Sequence, residues 1–187
     1  ERLIFFIDSV FAIAITLLAL EIRLPSGLEV SSDAQLARSL LAIWPKYLGF
    51  VVSFLTIGFY WTSHHRKFRW IQRYDGRLTF LNLLFLMAVA FIPFPTAVLS
   101  EYGNRTATIF YALAMISPSL FSLAIWIYAT RRSRLIDQDV DPRLRRREII
   151  SPLISAGIFL VSIGLAFLNP DLAKFSWGLI ALIPVFL

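Results

Sequence analysis

The chain has 187 residues, no cysteine, 58% hydrophobic and only 16% charged residues, and a net charge of +6. A soluble domain averages about 45–50% apolar and about 25% charged, and the mean hydropathy here is +0.71. These figures exclude a disordered chain, a disulfide scaffold and an ordinary soluble enzyme, and they point to a multi-span membrane protein. A pI of about 10.1 would suggest nucleic acid in a soluble protein. Here the basic residues are concentrated between apolar runs, so no nucleic-acid partner is expected.

About 20 apolar helical residues cross a bilayer core of about 30 Å. Five runs reach that length: Leu3 to Leu24, Leu40 to Ser63, Leu78 to Leu99, Thr106 to Thr130 and Ile149 to Leu168. A sixth begins near Leu172 and is cut at Leu187. The chain opens on Glu1 without a methionine, so both ends read as trimmed. Barrel strands would alternate apolar and polar residues. FAIAITLLAL and LNLLFLMAVAFI do not, so helix is the expected state of every run.

The segment between the first two runs, PSGLEVSSDAQLARS, holds turn formers, and Ser31, Ser32 or Asp33 is expected to cap a helix continuing into the second run. Pro45 lies about one turn inside that helix, and Pro93 and Pro95 lie late in the third run. Membrane helices tolerate such prolines with a kink. The 2–3 and 4–5 loops carry 12 of the 18 basic residues, and Arg2 lies on their side. Only Arg23, Arg38, Lys46, Arg105 and Lys174 lie opposite. The positive-inside rule then places the N-terminus and both basic loops in the cytosol, and six crossings would return the C-terminus there. The run from Arg131 to Arg147 reads first as a topology signal and second as a surface for anionic lipid head groups.

The first run carries the unusual residues. With about 100° per residue, Phe6, Ser9, Leu17, Leu20 and Leu24 fall on one stripe with Ile13, and Thr16 falls at its edge. Asp8 falls on the other side. In lipid such a stripe usually packs helices, and polar groups within a span default to packing or function. A carboxylate there is costly unless paired. Arg2, Phe6, Asp8, Trp61, His64, His65 and Asn82 are therefore expected to form a polar network at the cytosolic side. The adjacent pair His64–His65 lacks the spacing of a metal site. TIGFY at Thr56–Tyr60 echoes a potassium-filter sequence but lacks its second glycine and sits in a continuous apolar run. No phosphate loop or nucleophile elbow is present, and carboxylates within the runs are too few for a hydrolase, so no enzyme and no cofactor are expected.

The stretch RLIFFIDSVFAIAITLLALEI resembles the first-helix signature of the transmembrane protein 175 family, potassium channels of prokaryotes and animal lysosomes. Arg2, Phe6 and Asp8 match the signature at the right spacing, and Ile7 stands where it has serine. WTSHH at Trp61 to His65, LNLLFL around Asn82 and FIPFPT at Phe91 to Thr96 extend the resemblance over the first half of the chain. It implies an all-α polytopic membrane protein with six transmembrane helices per subunit and no re-entrant filter loop. Residues 1–187 then form one channel domain, its sixth helix truncated. It implies a homotetramer in the cell membrane, its pore lined by four copies of the first helix, with potassium as the permeant ion. With few oxygen ligands along an aliphatic neck, the preference over sodium is expected to be modest. By position the resemblance assigns Ile13, Leu17 and Leu20 to the pore constriction and gate, and Thr16 to selectivity. Ser9 is the second hydroxyl beside that neck. A secondary transporter is the alternative, although the halves lack evident similarity and no charge lies at mid-span. A non-conducting scaffold is a third reading.

Overall fold

The computed structural model describes residues 2–24, 32–131, 135–136 and 140–182, and all regular structure among them is helical apart from one isolated bridge. In chain order the helices are α1 (Arg2–Leu20), α2 (Asp33–Ala42), α3 (Trp44–Phe68), α4 (Gly76–Phe91), α5 (Pro93–Tyr102), α6 (Arg105–Arg131), α7 (Pro142–Leu168) and α8 (Pro170–Ser176). A 3-10 helix, Trp177–Leu182, follows. Short polar residues cap the starts by accepting orphan backbone N–H groups. Ser32 Oγ accepts from Gln35 N at 3.3 Å, Asp75 Oδ1 from Leu78 N at 2.8 Å and Asp141 Oδ1 from Arg143 N at 2.8 Å. Ser31, also considered for the first cap, lies outside the described residues. Gly103 ends α5 at φ +59°, the left-handed conformation that glycine adopts most easily, with its N–H on Leu99 O at 2.9 Å.

Prolines punctuate the bundle. Pro45 cannot donate to the preceding turn, and the helix predicted to run on from Asp33 breaks at Ile43, with a 47° bend between α2 and α3. Pro93 begins α5 directly after α4, so Gly76–Tyr102 acts as one 27-residue crossing. Pro118 lies inside α6 and leaves the Ala114 carbonyl without its helical donor. Ser117 Oγ supplies one at 2.8 Å, which is how a membrane helix keeps an internal proline.

The expected six spans and the absence of a re-entrant segment are not what the structure has. Among the described residues four helices are long and apolar enough to cross a membrane: α1, α4 with α5, α6 and α7. A fifth exists only if bent α2 and α3 count together, and that bend is the geometry of a broken span or a re-entrant segment. The apolar run from Leu172 makes no sixth crossing among these residues. Asn169 Oδ1 caps a new seven-residue helix by accepting from Asp171 N at 2.8 Å, and the winding then tightens to 3-10. Hydropathy counts apolar residues; it does not see a helix restart at Asn169–Pro170.

α1 packs on α3 and α4, and α6 packs on both α4 and α7. The shared core holds Phe11, Leu18, Ile57, Phe85, Tyr111 and Phe159. On the side of the basic loops, Gln72 N donates to Leu135 O at 3.0 Å beside an Ile71–Ile136 bridge, tying the two loops together. Arg132 and Arg134 of the basic run lie outside the described residues, whereas Arg143, Arg145, Arg146 and Arg147 are on α7.

Candidate functional site

α1 has two faces. Ile7, Phe11, Ala14 and Leu18, spaced at helical period, are buried against the subunit. The opposite arc carries the predicted stripe. Ile13 is 58% exposed, Leu17 40% and Leu20 56%, and Phe6, Ser9 and Thr16 are exposed beside them. Among the described residues no other helix covers this arc. The hydroxyls on it are oriented by the backbone. Thr16 Oγ1 donates to Ala12 O at 3.0 Å and to Ile13 O at 2.9 Å, and Ser9 Oγ donates to Phe5 O at 2.7 Å. Each hydroxyl proton is thus directed into the helix, and each oxygen keeps lone pairs able to accept from water or to ligate a cation.

Behind α1, Trp61 Nε1 donates to Asp8 Oδ1 at 2.9 Å, and the Trp61 ring stacks on His65 at 5.6 Å between centroids. One helical turn along α3, buried His64 donates from Nε2 to Asn82 Oδ1 of α4 at 2.8 Å. The imidazole stacks between Phe68 at 4.1 Å and Phe85 at 4.7 Å. Ile4, Ile7 and Asp8 share a small cavity of about 60 Å³ with Trp61, His64, His65, Phe68 and Arg69. The structure therefore brings together Asp8, Trp61 and His65 in one group, and His64 and Asn82 in a second. It does not bring in Arg2 or Phe6: both are exposed, and among the described residues Arg2 pairs with none of the others. Asp8 anchors α1 to α3 through an indole, so Asp8→Ala is expected to lower the yield of assembled protein on size exclusion. The ion preference of whatever assembles should stay unchanged; an altered preference with normal assembly would put Asp8 in the ion path instead.

TIGFY lies within the uninterrupted α3 helix, so its carbonyls point along the helix and cannot line a filter.

Sequence reasoning missed the most buried charges. α3 runs five residues past the predicted end of the second span, and α7 begins seven before the predicted start of the fifth. Arg66 and Lys67, counted as loop charges, and Glu148 are therefore helical. Glu148 is fully buried and accepts from Arg66 Nε. Lys67, also buried, lies 3.9 Å from Glu148 Oε2 and donates to Ser122 Oγ of α6. A signal existed in the sequence: Glu148, Ser151, Ser155 and Ser162 recur near helical period and are all buried on α7. Further out, Tyr60 Oη donates to Met115 O, Ser119 Oγ donates to Tyr60 Oη at 3.2 Å, and Ser53 joins Thr96 and Tyr111 at 2.8 and 3.0 Å. These contacts bind α3, α5, α6 and α7 through hydrogen bonds where no hydrophobic force separates helix from lipid.

Residues 2–93 match the family described as endosomal/lysosomal potassium channel TMEM175. A potassium channel of Streptomyces collinus is 43% identical over 95% of this chain and 87% of its own length. A potassium channel of Chamaesiphon minutus is 38% identical over 88% of this chain and 82% of its own. The crystal structure of a lysosomal potassium-selective channel TMEM175 homologue from Chamaesiphon minutus superposes with a TM-score of 0.84 at 34% identity. That match covers 98% of this chain and 95% of the other. Such identity, carried over nearly the full length of both chains, makes this chain a multi-pass membrane protein of the TMEM175 family of ion channels.

Proposed function

We propose that this chain is the subunit of a homotetrameric, potassium-conducting channel whose pore is lined by the uncovered face of α1. The observation that carries the reading is that face: an aliphatic stripe on a membrane helix, bordered by two hydroxyls and exposed among the described residues. One helix cannot enclose a pathway, so the stripe needs copies of itself. The number four comes from the likeness of the first-helix signature to the prokaryotic channels. The names of the full-length relatives support potassium as the ion.

In this arrangement Ile13 side chains converge on a shared axis, and Leu17 and Leu20 extend the dry neck over about 10 Å. A narrow aliphatic ring sheds water and closes without a charged plug. Opening widens the neck by tilting or rotating the α1 helices until water enters. Aliphatic walls offer no oxygen ligands, so selectivity falls to Thr16, with Ser9 below it. With so few ligands the ion keeps part of its hydration shell, and the preference for potassium over sodium is modest. The N-terminal end of α1 and both basic loops face the cytosol, where the arginines of α7 meet anionic head groups.

Thr16→Val removes the hydroxyl and keeps the shape. It is expected to lower the potassium-to-sodium permeability ratio by a few-fold while current persists. Bi-ionic reversal potentials in planar bilayers measure this, and an unchanged ratio would remove Thr16 from selectivity. Mass measurement of the detergent-solubilised protein tests the stoichiometry; only monomer or dimer would count against four subunits.

A further inference from the structure

A helix leaves its last carbonyls without helical donors. At the end of α1 away from the basic loops, Arg23 folds back to answer one of them, donating from Nε to Leu20 O at 2.7 Å. An open cleft of about 640 Å³ lies beside this end, lined by Glu21, Arg23, Lys46, Ser100, Glu101 and Tyr102. Lys46 of α3 spans it. Its Nζ donates to Arg23 O at 3.2 Å and to Glu101 Oε2 of α5 at 3.2 Å. Among the described residues no other hydrogen bond joins residues 19–24 to another helix.

Local rules do not favour a lysine here. Lys46 lies in the first turn of α3, where the helix dipole opposes a cation. Its side chain is only 17% exposed, so burial adds a desolvation cost. Glu101 is 62% exposed, and an ion pair with so wet a partner returns little. The remaining partner is the Arg23 carbonyl, a fixed acceptor on the backbone that continues α1. A position that breaks a local rule in this way points to a role beyond folding.

We propose that Lys46 is a positioning residue for conduction: it tethers the end of α1 to α3 and α5 and so keeps the Leu20 ring from collapsing. This rests on the reading of the exposed α1 arc as the pore wall. α3 and α5 both pack on α1, whose buried side chains Ile7, Phe11, Ala14 and Leu18 lie opposite that arc. A bond from Arg23 O toward α3 and α5 therefore draws the end of α1 away from the shared axis. Leu20, three residues before Arg23, is the neck residue nearest the tether. When water leaves an aliphatic neck its walls close together, and the tether resists that step at Leu20 first.

Potassium flux into liposomes is measured at equal loading of assembled channel. Lys46→Met keeps most of the side chain's length and removes the donor. It is expected to lower flux at least about threefold, within what one partly exposed hydrogen bond contributes. Lys46→Arg still offers donors to both acceptors and should conduct like the parent. Leu20→Asn added to Lys46→Met should restore flux, because a wet ring at Leu20 no longer needs the tether, whereas a merely damaged fold would not recover. If Lys46→Met fails to assemble, Glu101→Ala frees the exposed anchor of the same lysine and carries the same expectation. Parental flux through an assembled Lys46→Met or Glu101→Ala channel overturns the proposal. So does a loss that neither Lys46→Arg nor Leu20→Asn recovers. Ile13→Asn, run alongside, separates the two readings. If it raises flux while Lys46→Met matches the parent, the tether alone fails; if neither changes flux, the α1 arc is not the pore wall and both readings fall.

Discussion

Ile13→Asn is expected to raise passive potassium flux by about tenfold or more. Asparagine has the same number of side-chain heavy atoms as isoleucine, in a smaller volume, and carries a donor and an acceptor. In a ring of four, each amide that recovers hydrogen bonds with water stabilises the wet neck by about 0.5–1.5 kcal/mol, and 1.4 kcal/mol is one decade. The effect acts on the hydration of the neck and leaves the buried face of α1 untouched, because Ile13 is on the exposed arc. Flux into liposomes at equal protein loading reads the change. Unchanged flux, with assembly intact, would mean that Ile13 is not in the constriction.

The largest stability effect is expected at Glu148. Glu148 is fully buried, Arg66 donates to it, and buried Lys67 lies 3.9 Å away. Glu148→Ala removes the one carboxylate that these cations share and leaves Lys67 charged inside the bundle with only the Ser122 oxygens. Breaking a buried pair in this way costs about 3–5 kcal/mol. The thermal midpoint of assembled protein, followed by size exclusion, should drop sharply. Replacing both partners with apolar side chains, Glu148→Leu with Lys67→Met, should recover part of the loss, since no buried charge is then orphaned. A Glu148→Ala protein that melts like the parent would show the cluster to be dispensable.

What could be read from the sequence was whatever follows local periodicity. The two faces of α1 differ because apolar residues recur at helical spacing, and the buried set Ile7, Phe11, Ala14 and Leu18 is the complement of the predicted stripe. Asp8 and Trp61 meet, as the cost of an unpaired carboxylate in a span required. Ser32 caps α2 because a serine before Asp33 can reach back to an orphan N–H. The misses lie where tertiary context decides. Pro45 was read as a kink within one helix, but with Ile43 it separates two. The run after Leu172 was read as a crossing, although Asn169 and Pro170 start a short new helix. Lys67 was counted as a loop charge and Glu148 was not singled out, because burial of an ion pair depends on which helices meet, and single-chain charge counting carries no such information. Arg2, matched to the family signature, stands clear of the network in the subunit.

The central claim is that the uncovered arc of α1 faces permeating ions. The chain contains no cysteine, so single cysteines can be introduced without a background. Leu20→Cys lies on the exposed arc, and Ala14→Cys on the face packed against the subunit, 1% exposed. In reconstituted channels a small cationic thiol reagent is expected to block potassium flux through Leu20→Cys within seconds to minutes and to leave Ala14→Cys conducting. Rapid block at Ala14 with none at Leu20 would contradict the account and put the ion path on the other side of the helix.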